Sequence, residues 1–362
     1  MKYVNEFREP AFVKNMIKKI AASVNGEITI MEVCGTHTNS IFRSGIRDLL
    51  PSNIKLISGP GCPVCVTSQG YIDAVIELSK NKDIIITTFG DMMKVPGNKS
   101  SLQKEKALGR DVRMVFSPLD AIKIARENPH KEVVFLGVGF ETTAPAIALS
   151  VDIACREDIK NYSVLQSIKT MPVVMRQLVL DKELKIDGFL CPGHVSAIIG
   201  AKPYEFLAKE FGIPAVVAGF EAGDIVLALY ELLVMIENNT CEVKNVYKRI
   251  VSYEGNEKAL EMIDNVMEVS DGNWRGLGRI EGTGLRLKDK YKSFDTEKKL
   301  DVKIKETKAL KGCLCGEILK GKKNPLDCKL FSKICNPLNP VGACMVSEEG
   351  SCAAYYKYKN IK

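Results

Sequence analysis

No uninterrupted apolar run in this chain reaches the roughly eighteen residues that a membrane-spanning helix needs, so neither a membrane span nor a membrane partner is expected. The segment Met1 to Pro10 lacks the apolar core of a signal peptide, and a cytoplasmic location is the expectation. A net charge of +7, from 51 basic and 44 acidic residues, is spread without a basic block, which gives no reason to expect nucleic acid. No Walker-type phosphate loop is present to support ATP hydrolysis. Histidine is scarce, at three residues, and tryptophan occurs once. Cysteine is plentiful. Twelve cysteines in a reducing compartment argue for metal or redox use over structural disulfides.

The chain has 362 residues, too many for one ordinary core, and its 46% hydrophobic and 26% charged residues are those of a globular protein. After an N-terminal helix over about 9–22, β-branched runs alternate with helical patterns, the signature of parallel sheets with crossover helices. Strands are predicted at Ile28 to Val33, Ile54 to Ser58, Asp83 to Phe89, Val112 to Phe116, Glu132 to Val138, Ile186 to Leu190 and Ile213 to Phe220. A long helix is predicted from Ala222 to Glu237. Residues 97–109 read as a polar loop, and the glycine-rich 276–284 as a second one. The expected fold is α/β, with two similar parallel-sheet domains around a cleft, at 24–117 and 118–240. A small loop- and helix-rich domain at 241–362 follows, joined by the N-terminal helix 1–23.

Four strand ends carry the chemistry. Cys34-Gly35-Thr36-His37 delivers a thiol and an imidazole at a strand-to-helix turn, where orphan N–H groups of the helix would favour a thiolate. That soft pair suits iron or zinc but leaves coordination incomplete. A small buried cysteine beside a helix cap is the plainer reading of the same residues. Gly59-Pro60-Gly61-Cys62-Pro63-Val64-Cys65 has the spacing of a dithiol redox pair, Cys62 with Cys65. Gly139 to Pro145 and Cys191-Pro192-Gly193-His194 hold corresponding places in the second unit, which puts Cys191 and His194 in the cleft opposite Cys34. Cys155, Cys241 and His130 read as structural or surface residues, and Trp274 as packing.

Half of the cysteines stand in the last fifty residues: Cys313, Cys315, Cys328, Cys335, Cys344 and Cys352. A loop-rich segment with little apolar content needs a cross-link to hold its shape, and a metal centre supplies one. An iron–sulfur cluster suits this spacing better than zinc, because the tight Cys-x-x-Cys pairs of zinc ribbons are missing.

Together with Pro340 to Ser347 in the tail, these motifs resemble the HypD family of [NiFe]-hydrogenase maturation proteins across nearly the whole chain. The resemblance implies a scaffold that works with a small HypC-type chaperone. On it an Fe(II) acquires two cyanides and one carbon monoxide, the cyanide coming from a HypE-type donor. It implies that Cys34 holds that iron with His37 nearby, and that Cys62 and Cys65 form the proximal redox pair. A [4Fe-4S] cluster is implied on Cys313, Cys328, Cys335 and Cys352, which satisfy a Cys-x14-Cys-x6-Cys-x16-Cys pattern. Cys315 and Cys344 are implied to pair as thiol and disulfide beside it, and Glu349 matches an acid of the family's tail motif. The competing class is a stand-alone iron–sulfur oxidoreductase acting through Cys62 and Cys65.

Overall fold

In the computed structural model, which describes residues 5–305, 307 and 311–359, the chain visits two sheets alternately. Eleven strands follow in order: β1 (Ile28–Glu32), β2 (Ile54–Ser58), β3 (Ile84–Thr88), β4 (Val112–Met114), β5 (Glu132–Gly139), β6 (Tyr162–Lys169), β7 (Gly188–Cys191), β8 (Ala215–Val217), β9 (Val243–Asn245), β10 (Met267–Trp274) and β11 (Gly278–Leu287). The first sheet runs β2-β1-β7-β8-β9 and is parallel throughout. The second runs β10-β11-β6-β5-β3-β4, parallel from β6 to β4, with the β10–β11 hairpin added antiparallel at one edge. Near-continuous burial of β3 and β5 is what a parallel strand covered on both faces requires.

The α/β class therefore holds, but the two sheets do not divide the chain at 117/118. β1 and β2 pair with β7, whereas β3 and β4 pair with β5. The boundary at 241 is not followed either, since β9 joins the first sheet and the hairpin joins the second. Crossover connections of a parallel sheet place no local mark on which sheet the next strand enters, so contiguous halves were the wrong partition. The resemblance between units survives in another form. Both sheets have the order of a doubly wound fold, with reversals between β1 and β7 and between β3 and β5.

The N-terminal helix Pro10–Ala22 does not join the C-terminal segment. It lays Val13, Met16 and Ile20 against Ile225, Leu229 and Leu232 of the helix Ala222–Glu237. β6 is missing from the sequence reading because Ser163, Gln166 and Ser167 interrupt its apolar run. Inside the sheet these find partners: Ser163 Oγ donates to Glu132 at 2.7 Å, and Gln166 accepts from Leu287 N at 2.8 Å. The polar stretch 97–109 contains a helix, Leu102–Ala107, capped by Ser101. The glycine-rich stretch 276–284 is the turn and outgoing strand of the hairpin, with Gly276 and Gly278 at positive φ. Part of the charged stretch 286–311, at 306 and 308–310, lies outside the described residues. The largest apolar core runs between the sheets and into the tail, joining Met31, Val66, Leu136 and Phe189 to Cys344 and Met345.

Candidate functional site

At the β1/β7 reversal the two Cys/His turns become neighbours, because Glu32 stands in register with Leu190 and Val33 N donates to Leu190 O at 3.3 Å. Cys34 leaves β1 as the N-cap of the helix Gly35–Arg43. Its thiol is buried, and burial, followed by the nearby Glu349 charge, pushes its pKa up to about 12. The N–H groups of Thr36 and His37 pull the other way and lose. The expected thiolate is thus not the resting state of Cys34: desolvation outweighs the helix terminus, and a bound cation would favour the ionised sulfur.

His37 is fully buried and donates from Nε2 to Gly219 O at 2.9 Å, which leaves the lone pair on Nδ1, a buried atom without a partner among the described residues. Burial brings its pKa down to about 4, so the ring is neutral. Phe220 packs against both imidazoles, with ring centroids 4.7 Å from His37 and 4.1 Å from His194. Cys191, at the end of β7, is completely buried, and burial holds its thiol protonated.

Two close approaches bring other segments onto Cys34. Gly35 N donates to Gly61 O at 3.1 Å, and a Cβ at Gly61 would lie 2.3 Å from Cys34 N, so only glycine admits the dithiol turn here. From the far end of the chain, Thr36 Oγ1 donates to Glu349 at 2.8 Å and Asn39 Nδ2 donates to Glu348 O at 3.1 Å. Burial raises the Glu349 pKa.

Cys62 and Cys65 form a disulfide at the ends of a single turn, Pro63–Val66, and are 3% and 0% exposed. Cys65 Sγ lies 3.9 Å from Ala343 O, beside Cys344. Cys344 Sγ is in turn 2.8 Å from Cys315 Sγ. Hydrogen bonds from Cys313 and Cys344 lower the Cys315 pKa, and the shared hydrogen raises that of Cys344. All six tail cysteines line one small, tightly closed pocket, together with Ile318, Leu330, Phe331 and Met345. Among the described residues no three His, Cys, Asp or Glu side chains are placed to hold a single metal ion.

A family profile described as "HypD: Hydrogenase formation hypA family" matches residues 11–359. The chain belongs to the HypD family. It is 44% identical over 370 residues to the hydrogenase maturation factor HypD of Rhodobacter capsulatus, covering 99% of this chain and 98% of that protein. The HypD of Cupriavidus necator is 42% identical, covering 100% and 98%. A putative hydrogenase expression/formation protein of Methanocaldococcus jannaschii is 43% identical, covering 97% and 98%. As a hydrogenase maturation factor of the HypD family, the chain gathers Cys34, His37, Cys62, Cys65, Cys191, His194 and Glu349 in one region and the six tail cysteines in the adjoining pocket.

Cys155, Cys241 and His130 lie exposed, outside both groups. No described helix is long and apolar enough to cross a membrane. Three neighbours of the site escaped the sequence reading. Phe220 follows the β8 strand and gives no local signal. Glu32 is buried with its pKa pushed up to about 7, and it accepts from Thr38 Oγ1 at 2.5 Å. Arg275 is a buried cation in the hairpin turn, and a charged residue next to the single tryptophan was the available hint.

Proposed function

We propose that this HypD-family chain is the scaffold on which the iron of a [NiFe] hydrogenase acquires its two cyanides and one carbon monoxide. It acts in complex with a HypC-type small chaperone and takes cyanide from a HypE-type donor. Cys34 binds the incoming Fe(II) as a thiolate; because the free thiol titrates only near 12, metal binding must release a proton. His37, held by Gly219 O and with no partner for Nδ1 among the described residues, serves as an adjacent ligand or as a proton acceptor beside the iron. Few protein ligands leave the positions that diatomic ligands need.

The tail pocket fits a [4Fe-4S] cluster in donor chemistry. Cys313, Cys328, Cys335 and Cys352 would hold it, with Cys315 and Cys344 remaining as a close pair. Such a cluster stores and passes electrons. The chain's own part is to keep Cys315 and Cys344 against the Cys62–Cys65 turn through Ala343, and that turn against Cys34 through Gly61. A stand-alone oxidoreductase has less support from the same geometry, since the disulfide is 3% and 0% exposed and Cys65 rests against Ala343 of the tail, which admits a small thiol more readily than a bulky disulfide substrate.

The observation that carries the reading is this continuity of thiols from the tail pocket to Cys34. The test is infrared absorption of the protein purified with its small partner. Metal-bound cyanide and carbon monoxide bands are expected for the native chain and lost in Cys34→Ala, with the visible absorbance of the tail unchanged. Bands of full intensity in Cys34→Ala would move the assembly site elsewhere.

A further inference from the structure

Arg275 sits at the tip of the β10–β11 hairpin, only 7% exposed, with its hydrogen bonds directed at the segment that follows Cys65. Its backbone N donates to Val66 O at 2.8 Å, Nε to Thr67 O at 2.9 Å, and Nη1 to Gln69 Oε1 at 2.7 Å. Val66 and Thr67 carry the free carbonyls at the C-terminal end of the disulfide turn, the place where a cation is favoured. Every one of these partners is neutral, and Nη2 is buried with no partner among the described residues. On its other side the hairpin tip touches the tail: a Cβ at Gly276 would stand 2.3 Å from Gly316 Cα, next to Cys315. A buried guanidinium without a carboxylate carries a desolvation penalty that simple clamping does not explain, because a neutral donor would make the same bonds.

We propose that Arg275 is a positioning residue that sets the reduction potential of the Cys62–Cys65 disulfide. This inference rests on the reading of Cys62 and Cys65 as a redox pair. Reduction by glutathione breaks the S–S bond and takes two electrons from two glutathiones, which join as glutathione disulfide. One of their two protons goes to the first released sulfur and the other to solvent, so the second sulfur is left as a thiolate. The Arg275 charge stabilises that thiolate and has nothing to stabilise in the disulfide, so it favours the reduced pair.

The experiment is an anaerobic glutathione redox titration of the full-length protein, read by alkylation and mass spectrometry of the peptide carrying Cys62 and Cys65. Native protein, Arg275→Gln, Arg275→Met and Arg275→Lys are compared, with circular dichroism as the check on folding. Arg275→Gln is expected to need about tenfold more reducing conditions, equivalent to about 30 mV for a two-electron couple, while Arg275→Lys stays within about threefold of native. If Arg275→Gln does not fold, Arg275→Met, which keeps the aliphatic stem, is read in its place. The proposal is overturned if a folded neutral variant titrates with the native protein, if the Lys and neutral variants shift equally, or if both neutral variants unfold while Arg275→Lys does not. A native pair that fails to titrate at all would instead remove the redox reading on which the inference rests.

Discussion

Thr36 Oγ1 donates to Glu349 Oε1 at 2.8 Å, joining residues 313 positions apart in the chain. Gly35 admits the contact, because a Cβ there would meet Glu349 O at 2.3 Å. The tail is thereby seated on the turn that carries Cys34, and the helix Ser351–Tyr358 extends the contact by packing Tyr355 against Phe42, with ring centroids 4.7 Å apart.

Two variants of Glu349 separate its charge from its hydrogen bond. Glu349→Gln keeps an acceptor for Thr36 but removes a negative charge that raises the Cys34 pKa. Alkylation of Cys34 by iodoacetamide at pH 9 should therefore be faster in Glu349→Gln. Glu349→Ala should lose about 1 kcal/mol of stability as well, measured by urea unfolding.

In the tail, the proposed ligands and the proposed thiol pair should behave differently. Removing Cys313, Cys328, Cys335 or Cys352 one at a time should lose iron and sulfide and loosen the segment, whereas Cys315→Ala should retain both. Iron and sulfide counts on the reconstituted protein decide it. Cluster loss in Cys315→Ala with retention in Cys313→Ala would exchange their roles.

The Cys62–Cys65 disulfide should open and close reversibly without unfolding. Differential alkylation followed by mass spectrometry should show both sulfurs protected in oxidising buffer and both labelled after reduction. Equal inertness in the two buffers would rule out a redox role.

Lys169 provides a pH test away from the cysteines. Its ammonium is buried against the Trp274 ring, 5.8 Å from the centroid, with Ser167 Oγ at 2.8 Å, and burial brings its pKa down from 10.5 to about 7. A folded pKa below the unfolded one means that the unfolded chain binds the extra proton, so stability is lost as pH falls from 10.5 towards 7. Lys169→Met is free of this loss. Its advantage over the native chain in urea midpoint should be larger at pH 7 than at pH 10. A constant difference would show that Lys169 keeps its proton in the folded state.

Local sequence determined seven of the eleven strands, the long helices and the thiols at their ends. Ile54–Ser58 and Ala222–Glu237 lie where their periodicity puts them, since β-branched runs and apolar faces are properties of a few consecutive residues. The cysteine and histidine turns at 34–37, 62–65 and 191–194 were legible for the same reason, and their order along the chain identified the family. Tertiary structure alone decided which strand ends meet. β1 finds β7 across more than a hundred residues, which makes neighbours of Cys34 and the Cys191 turn and overrides the contiguous halves. Burial also decided the state of the sulfur. A helix N-terminus beside Cys34 is visible in the sequence and favours a thiolate, but the desolvation that defeats it comes from segments distant in the chain, Glu349 among them, whose arrival no local pattern records.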